Sequence, residues 1–131
     1  MNITALIMTG GYNGDVFSSV EVYHPGTNTS CTLPSLPGEI FLHSQDGLVL
    51  CGGGINCVSN TGRSCHTLNT DTAQWTKTHS LSGGRVFHSS WRREDGSILI
   101  IGGGFSETTT ELVSDSSGVS TPGFTLKYET W

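Results

Sequence analysis

"ALIMTGGY" at residues 5–12, "GLVLCGGG" at residues 47–54 and "SILIIGGG" at residues 97–104 write one phrase three times. In each, a run of apolar residues enters a glycine pair. The pairs Gly10–Gly11, Gly52–Gly53 and Gly102–Gly103 start 42 and 50 residues apart. A period of about 40–50 residues marks propellers and other arrays of a repeated unit. The flanks repeat in phase. "SSVEVYHPGTNTSCTLPSLP" follows the first pair and "SCHTLNTDTAQWTKTHSLSGGR" the second, each reading as apolar strand, polar turn, short strand. "FLHSQDG" at residues 41–47 parallels "VFHSSWRREDG" at residues 86–96. Both place His-Ser before an Asp-Gly turn, and Asp-Gly between apolar runs favours a hairpin because it tolerates positive φ. Each unit thus offers about four short strands, and no segment shows a useful 3.6-residue period. The expected fold is all-β, with no helix longer than one turn. Strands are expected near residues 4–9, 19–23, 47–52, 65–69, 97–102 and 109–114.

These units resemble kelch repeats, the four-stranded antiparallel blades of a β-propeller. In that pattern a strand runs into Gly-Gly, a Tyr follows, a Trp sits on the outer strand, and Arg and His precede the next blade. Trp75 takes the Trp position, and Arg85 with His88 takes the Arg/His pair. His43 repeats His88, but its Arg is missing, and Glu39 or Ile40 stands there. Cys31 stands near the first Trp position. "GFTLKYETW" at residues 123–131 reads as an outer strand. The resemblance implies a partial kelch-type propeller with units near 1–37, 38–82 and 83–131. It also implies that each glycine pair lies where neighbouring sheets crowd and only glycine fits. About two and a half units fall short of the 4–8 blades of a closed propeller. The remaining blades are expected from a longer chain.

Composition narrows the partners. Six Lys and Arg against eleven Asp and Glu give a net charge of −5, with no basic run. That argues against a nucleic-acid backbone and against an anionic membrane surface. No apolar run approaches the roughly 20 residues of a membrane helix. The first eleven residues lack the basic and apolar regions of a signal peptide.

Catalytic signals are sparse. The histidines are His24, His43, His66, His79 and His88, with no CxxC or HxxxH spacing for a metal. His43 and His88 occupy equivalent repeat positions, which suits a hydrogen bond to backbone between blades. Arg85 and Glu111 read as polar contacts between blades before they read as ligand-binding residues, and Trp75 and Trp91 as strand packing before a binding platform. "CGGGINC" lacks the Lys-Ser/Thr of a phosphate loop. Galactose-oxidase-like propellers hold copper with two Tyr and two His. Tyr12, Tyr23 and Tyr128 match no such set. "SQDGLVL" at residues 44–50 begins a sialidase-like box and then loses its Thr and Trp. No catalytic, cofactor or metal residue is assigned. The reading is a module that binds a protein or glycan partner through the loops at residues 13–18, 58–63 and 106–108. The alternative is a fragment of a galactose-oxidase-like catalytic propeller, its site in other blades.

Four cysteines allow three pairings. Cys57 and Cys65 bracket the polar loop "VSNTGRS", whose ends an antiparallel pair brings together, so a Cys57–Cys65 bridge is expected. Cys31–Cys51 then staples two blades. Extracellular kelch-like proteins carry a similar quartet, and the resemblance therefore implies the secretory pathway or the outside of the cell. Two sequons, at Asn2 and Asn28, point the same way. Four reduced cysteines in a cytosolic propeller are the alternative.

Overall fold

The computed structural model describes residues 5–40, 43–53, 60–104, 108–114 and 118–128. Every strand in it is antiparallel to its neighbours. The first sheet has the order β1 (Leu6–Thr9), β4 (Val20–His24), β5 (Thr29–Leu33). The second runs β6 (Ser44–Asp46), β7 (Val49–Cys51), β8 (Ser64–Asn69), β9 (Gln74–Ser80), and the third β10 (Ser89–Arg92), β11 (Ile98–Ile101), β12 (Thr109–Val113), β13 (Thr121–Thr125). A small ribbon, β2 (Tyr12–Asn13) with β3 (Asp15–Val16), projects between β1 and β4. The described helical structure is one 3₁₀ turn, η1, at Asn60–Arg63. The all-β expectation therefore holds. Each four-stranded sheet is laid down in chain order.

The cores lie between sheets. Val20, Leu36, Ile40 and Leu50, with Ile7, Leu33 and Trp75 against them, join the first sheet to the second. Cys51, Cys65, Leu81, Ile98, Ile100 and Val113, with Val49, join the second to the third. β7 thus serves both: Leu50 faces one way, Val49 and Cys51 the other. This explains why the runs before the glycine pairs do not alternate with polar residues. The first run differs. Leu6 and Met8 are 53% and 49% exposed. Met8 holds the place that Leu50 and Ile100, both fully buried, hold when another sheet covers them.

Two expectations need correction. The last strand is β13 at Thr121–Thr125, upstream of most of "GFTLKYETW". Its register on β12 places Pro122 opposite Glu111. The disulfide is Cys51–Cys65, with Cα atoms 4.1 Å apart, and Cys31 is free and exposed. Strand register decides this. Gly52 N–H bonds Ser64 O, and Leu68 N–H bonds Leu48 O. Cys51 and Cys65, directly opposite on β7 and β8, are therefore a non-hydrogen-bonded pair, where side chains come closest. Neither Cys57–Cys65 nor Cys31–Cys51 is compatible with that bond. Cys57 itself lies outside the described residues.

Candidate functional site

The glycine pairs close each sheet on itself and on the segment that follows it. Gly10 N–H bonds Ser19 O, Gly52 N–H bonds Ser64 O, and Gly102 N–H bonds Thr109 O, each within its own unit. The second glycine reaches further: Gly11 N–H bonds Ile40 O and Gly53 N–H bonds Arg85 O. Ile40 is thus the counterpart of Arg85, and "LPGEI" at residues 36–40 is the counterpart of "LSGGR" at residues 81–85. The pairs have positive φ, +57° at Gly10 and +70° at Gly52. Added side chains would also collide. A Cβ on Gly10 would stand 2.2 Å from Ile40 O, and one on Gly52 would stand 2.5 Å from His88 Cε1 and 2.7 Å from Arg85 O. Gly52→Ala is expected to cost about 1–3 kcal/mol from backbone strain and the displaced linker. A urea titration checks this; an unchanged midpoint would contradict the crowding.

Arg85 anchors the third sheet. It is 1% exposed. Its Nε and Nη2 donate to Glu111 Oε1 at 3.0 and 2.7 Å, and Nη1 donates to Gly102 O and Thr109 O at 2.8 and 3.0 Å. Nη2 also donates to Thr109 Oγ1 at 2.8 Å. Glu111 Oε2 accepts from Ser82 N–H at 2.7 Å and from the Ser120 hydroxyl. Burial pushes the Glu111 carboxyl up, but the bonds from Ser120, Ser82 and Arg85 outweigh it and hold it below its ordinary value. The residues that seat this carboxylate come from the linker, Ser82 and Arg85, and from Ser120 between β12 and β13.

The histidines join sheets. His88 Nε2 donates to Cys51 O at 3.0 Å, from the third unit to the second. His43 Nε2 donates to Thr9 Oγ1 at 2.8 Å, from the second unit to the first; the Thr9 hydroxyl in turn donates to Gln45 Oε1 at 2.6 Å. His79 Nε2 donates to Ser114 O. Burial, with Arg85 and His43 adding to it, pushes His88 down to about 4 against the raising effect of the Cys51 carbonyl. Burial also lowers His43. Burial and Lys77 lower His66. The unfolded chain takes up protons near pH 6.5 that the folded His88 refuses until about pH 4. Stability is therefore full above the unfolded value and is lost as pH falls through that window. His88→Gln retains an N–H for Cys51 O and is expected to flatten the fall. Urea midpoints measured across that range check it; identical slopes in both proteins would contradict it.

The structure separates the remaining residues. Trp75 Nε1 donates to Pro34 O at 3.1 Å across the first interface. Trp91 is exposed. Asn28 sits in the β4–β5 turn at φ +52° and accepts from Tyr23 OH at 3.0 Å; Asn2 lies outside the described residues. Of the three loops, residues 58–59 and 106–107 lie outside them too. What is described lines up by repeat: the carbonyls of Ser18, Arg63 and Thr108 accept from the N–H groups of Leu36, Leu81 and Leu126. The β2–β3 ribbon was not among the expected strands. Its signal was present in "YNGDV", where Asn-Gly between strand formers marks a hairpin.

A copper set of two Tyr and two His is not assembled by these residues. Tyr12 and Tyr128 are exposed, Tyr23 is engaged with Asn28, and His43 and His88 spend Nε2 on Thr9 and Cys51. Among the described residues no three His, Cys, Asp or Glu side chains stand close enough to share a metal. No described helix is long and apolar enough to cross a membrane.

Comparison with known proteins agrees with the glycine-pair geometry. The kelch motif family matches residues 6–37. Among solved structures of similar fold is a fungal alcohol oxidase of the AA5 family, in complex with copper. It matches at a TM-score of 0.60 and 18% identity over 89% of this chain. The chain spans 27% of that protein's length. The likeness shows the fold alone: all-β and propeller-like. No curated protein sequence matches the chain.

Proposed function

We propose that this kelch segment is a binding module that engages a protein or glycan partner through its loop-bearing edge. The observation that carries this reading is the β2–β3 ribbon. It presents Tyr12, 64% exposed, beside a tip of Asn13, Gly14 and Asp15, on the loop that ends at the repeat position shared with Arg63 and Thr108. Exposed aromatic and amide groups on a loop held by a rigid scaffold are a common recognition surface. The partner set also includes further propeller blades, supplied by a longer chain, over the exposed Leu6 and Met8. The units at 1–37, 38–82 and 83–131 are the blades we assign. A disulfide within the core fits a secreted or extracellular protein.

Tyr12→Ala with Asn13→Ala and Asp15→Ala is expected to weaken binding on glycan and secreted-protein arrays by about tenfold or more and to leave the urea midpoint unchanged. Loss of folding would reassign the ribbon to structure, and undiminished binding would move the site elsewhere. The likeness to a copper-bound alcohol oxidase supports a second reading, in which the segment belongs to a catalytic propeller whose centre is built by other blades. Copper loading of the longer protein, followed by an alcohol-oxidation assay, distinguishes the two.

A further inference from the structure

The second and third sheets solve the same packing problem in different ways. Between the linker and β12 of the third unit, the space is filled by Arg85 and Glu111, with Ser82 N–H and Thr109 completing the bonds. The hydrogen bonds of the glycine pairs set the second unit's counterparts: Ile40 for Arg85, Pro37 for Ser82, Ser64 for Thr109 and His66 for Glu111. Ion-pair partners have been exchanged together, so no buried charge is orphaned. Proline at 37 also removes the N–H that the missing carboxylate would have needed. What the exchange leaves is a cavity of about 260 Å³ between the linker at residues 36–40 and the second sheet.

Leu36, Pro37, Ile40 and Leu50 make its apolar wall. His66 and Ser64 are the polar groups on its β8 side. Lys77, opposite His66 on β9, and Glu39 are exposed and stand at its mouth. Their charges are opposite, so the entrance offers no net attraction to an ion. A wholly apolar cavity of about 150 Å³ is large enough to hold benzene. This one takes a single ring with a substituent, or a branched aliphatic of similar size. A mostly apolar pocket with one or two placed polar groups is the usual form of a small-molecule site.

We propose that the cavity between the linker at residues 36–40 and the second sheet is a binding site for a small uncharged aromatic or branched aliphatic molecule, whose single polar group meets His66. This site is separate from the loops of the recognition surface and does not depend on that reading. The chain carries the control within itself. Pro37→Ser with Ile40→Arg and His66→Glu rebuilds in the second unit the network that fills the third. Ile40→Phe fills the same space without charge.

The test is a titration with indole, followed by the methyl signals of Leu36, Ile40 and Leu50 and the ring signals of His66 in heteronuclear NMR spectra. Saturable shifts confined to these residues are expected. Benzoate, the charged counterpart, is expected to bind at least about tenfold more weakly. Either filled variant, if it still unfolds cooperatively, is expected to lose the shifts; Ile40→Phe serves should the triple variant not fold. Absence of saturable shifts in the unaltered chain would overturn the proposal. So would undiminished binding in a filled variant, or benzoate binding as tightly as indole.

Discussion

Arg85→Ala is expected to lower the free energy of unfolding by about 3–5 kcal/mol, because it strands a buried carboxylate. Glu111 is 2% exposed, and its remaining donors, Ser82 N–H and Ser120, cannot replace the guanidinium. The same deletion removes the donor that Arg85 Nη1 supplies to Gly102 O and Thr109 O. A denaturant titration measures the loss, and one below about 1 kcal/mol, the scale of an exposed ion pair, would contradict the burial argument. Removing both charges tests the cause. Arg85→Met with Glu111→Leu is expected to be markedly more stable than Arg85→Ala, since no lone charge remains. Acid gives a third reading of the network. The folded carboxyl of Glu111 lies below its ordinary value of 4.5, so its contribution is present above that value and is lost as pH falls through the lower folded one. This loss begins where the histidine-linked fall, between about pH 6.5 and about pH 4, is ending.

Reduction of Cys51–Cys65 is the second large effect, expected to cost about 2–4 kcal/mol for a bond closing a loop of this length. The two cysteines are 14 residues apart in sequence, and both are buried in the core that joins the second and third sheets. Cys65→Ala is expected to behave like the reduced protein, whereas Cys31→Ala, on the exposed outer strand of the first sheet, is expected to be neutral within about 0.5 kcal/mol. Thermal unfolding with and without reductant measures the first. Non-reducing peptide mapping identifies the pair directly, and a Cys57–Cys65 link would overturn the register of β7 on β8.

The glycine pairs could be read from sequence because their chemistry is local. Positive φ at Gly10, Gly52 and Gly102, with a carbonyl or ring within 3 Å of the would-be Cβ at Gly10 and Gly52, leaves few residues that fit, so the same letters recur. The disulfide could not be read in that way. Spacing brings Cys57 and Cys65 together around a loop, but the bond follows the alternation of wide and narrow pairs on β7 and β8, which only the register reveals. Ile40 was ambiguous by one residue for a similar reason. The chain between it and His43 carries no polar landmark, and the Gly11-to-Ile40 hydrogen bond removes the slip. Arg85 and Glu111 were visible as polar residues and read as contacts between blades, but their mutual bond lies within one unit and only the structure reveals it. The Ile40–His66 cavity had no signal in either residue alone. It exists only in the comparison of two linkers across two sheets.

The most direct test of the repeat is the set of hydrogen bonds that closes each unit on the next. Scalar couplings across hydrogen bonds, read by NMR, should connect Gly11 N to the Ile40 carbonyl carbon and Gly53 N to that of Arg85. Gly10 N to Ser19 and Gly52 N to Ser64 should appear within the units. Slow exchange of all four amides is expected alongside. Couplings within the units but none from Gly11 or Gly53 would mean sheets that do not engage the following linker, and would contradict the propeller arrangement of this chain.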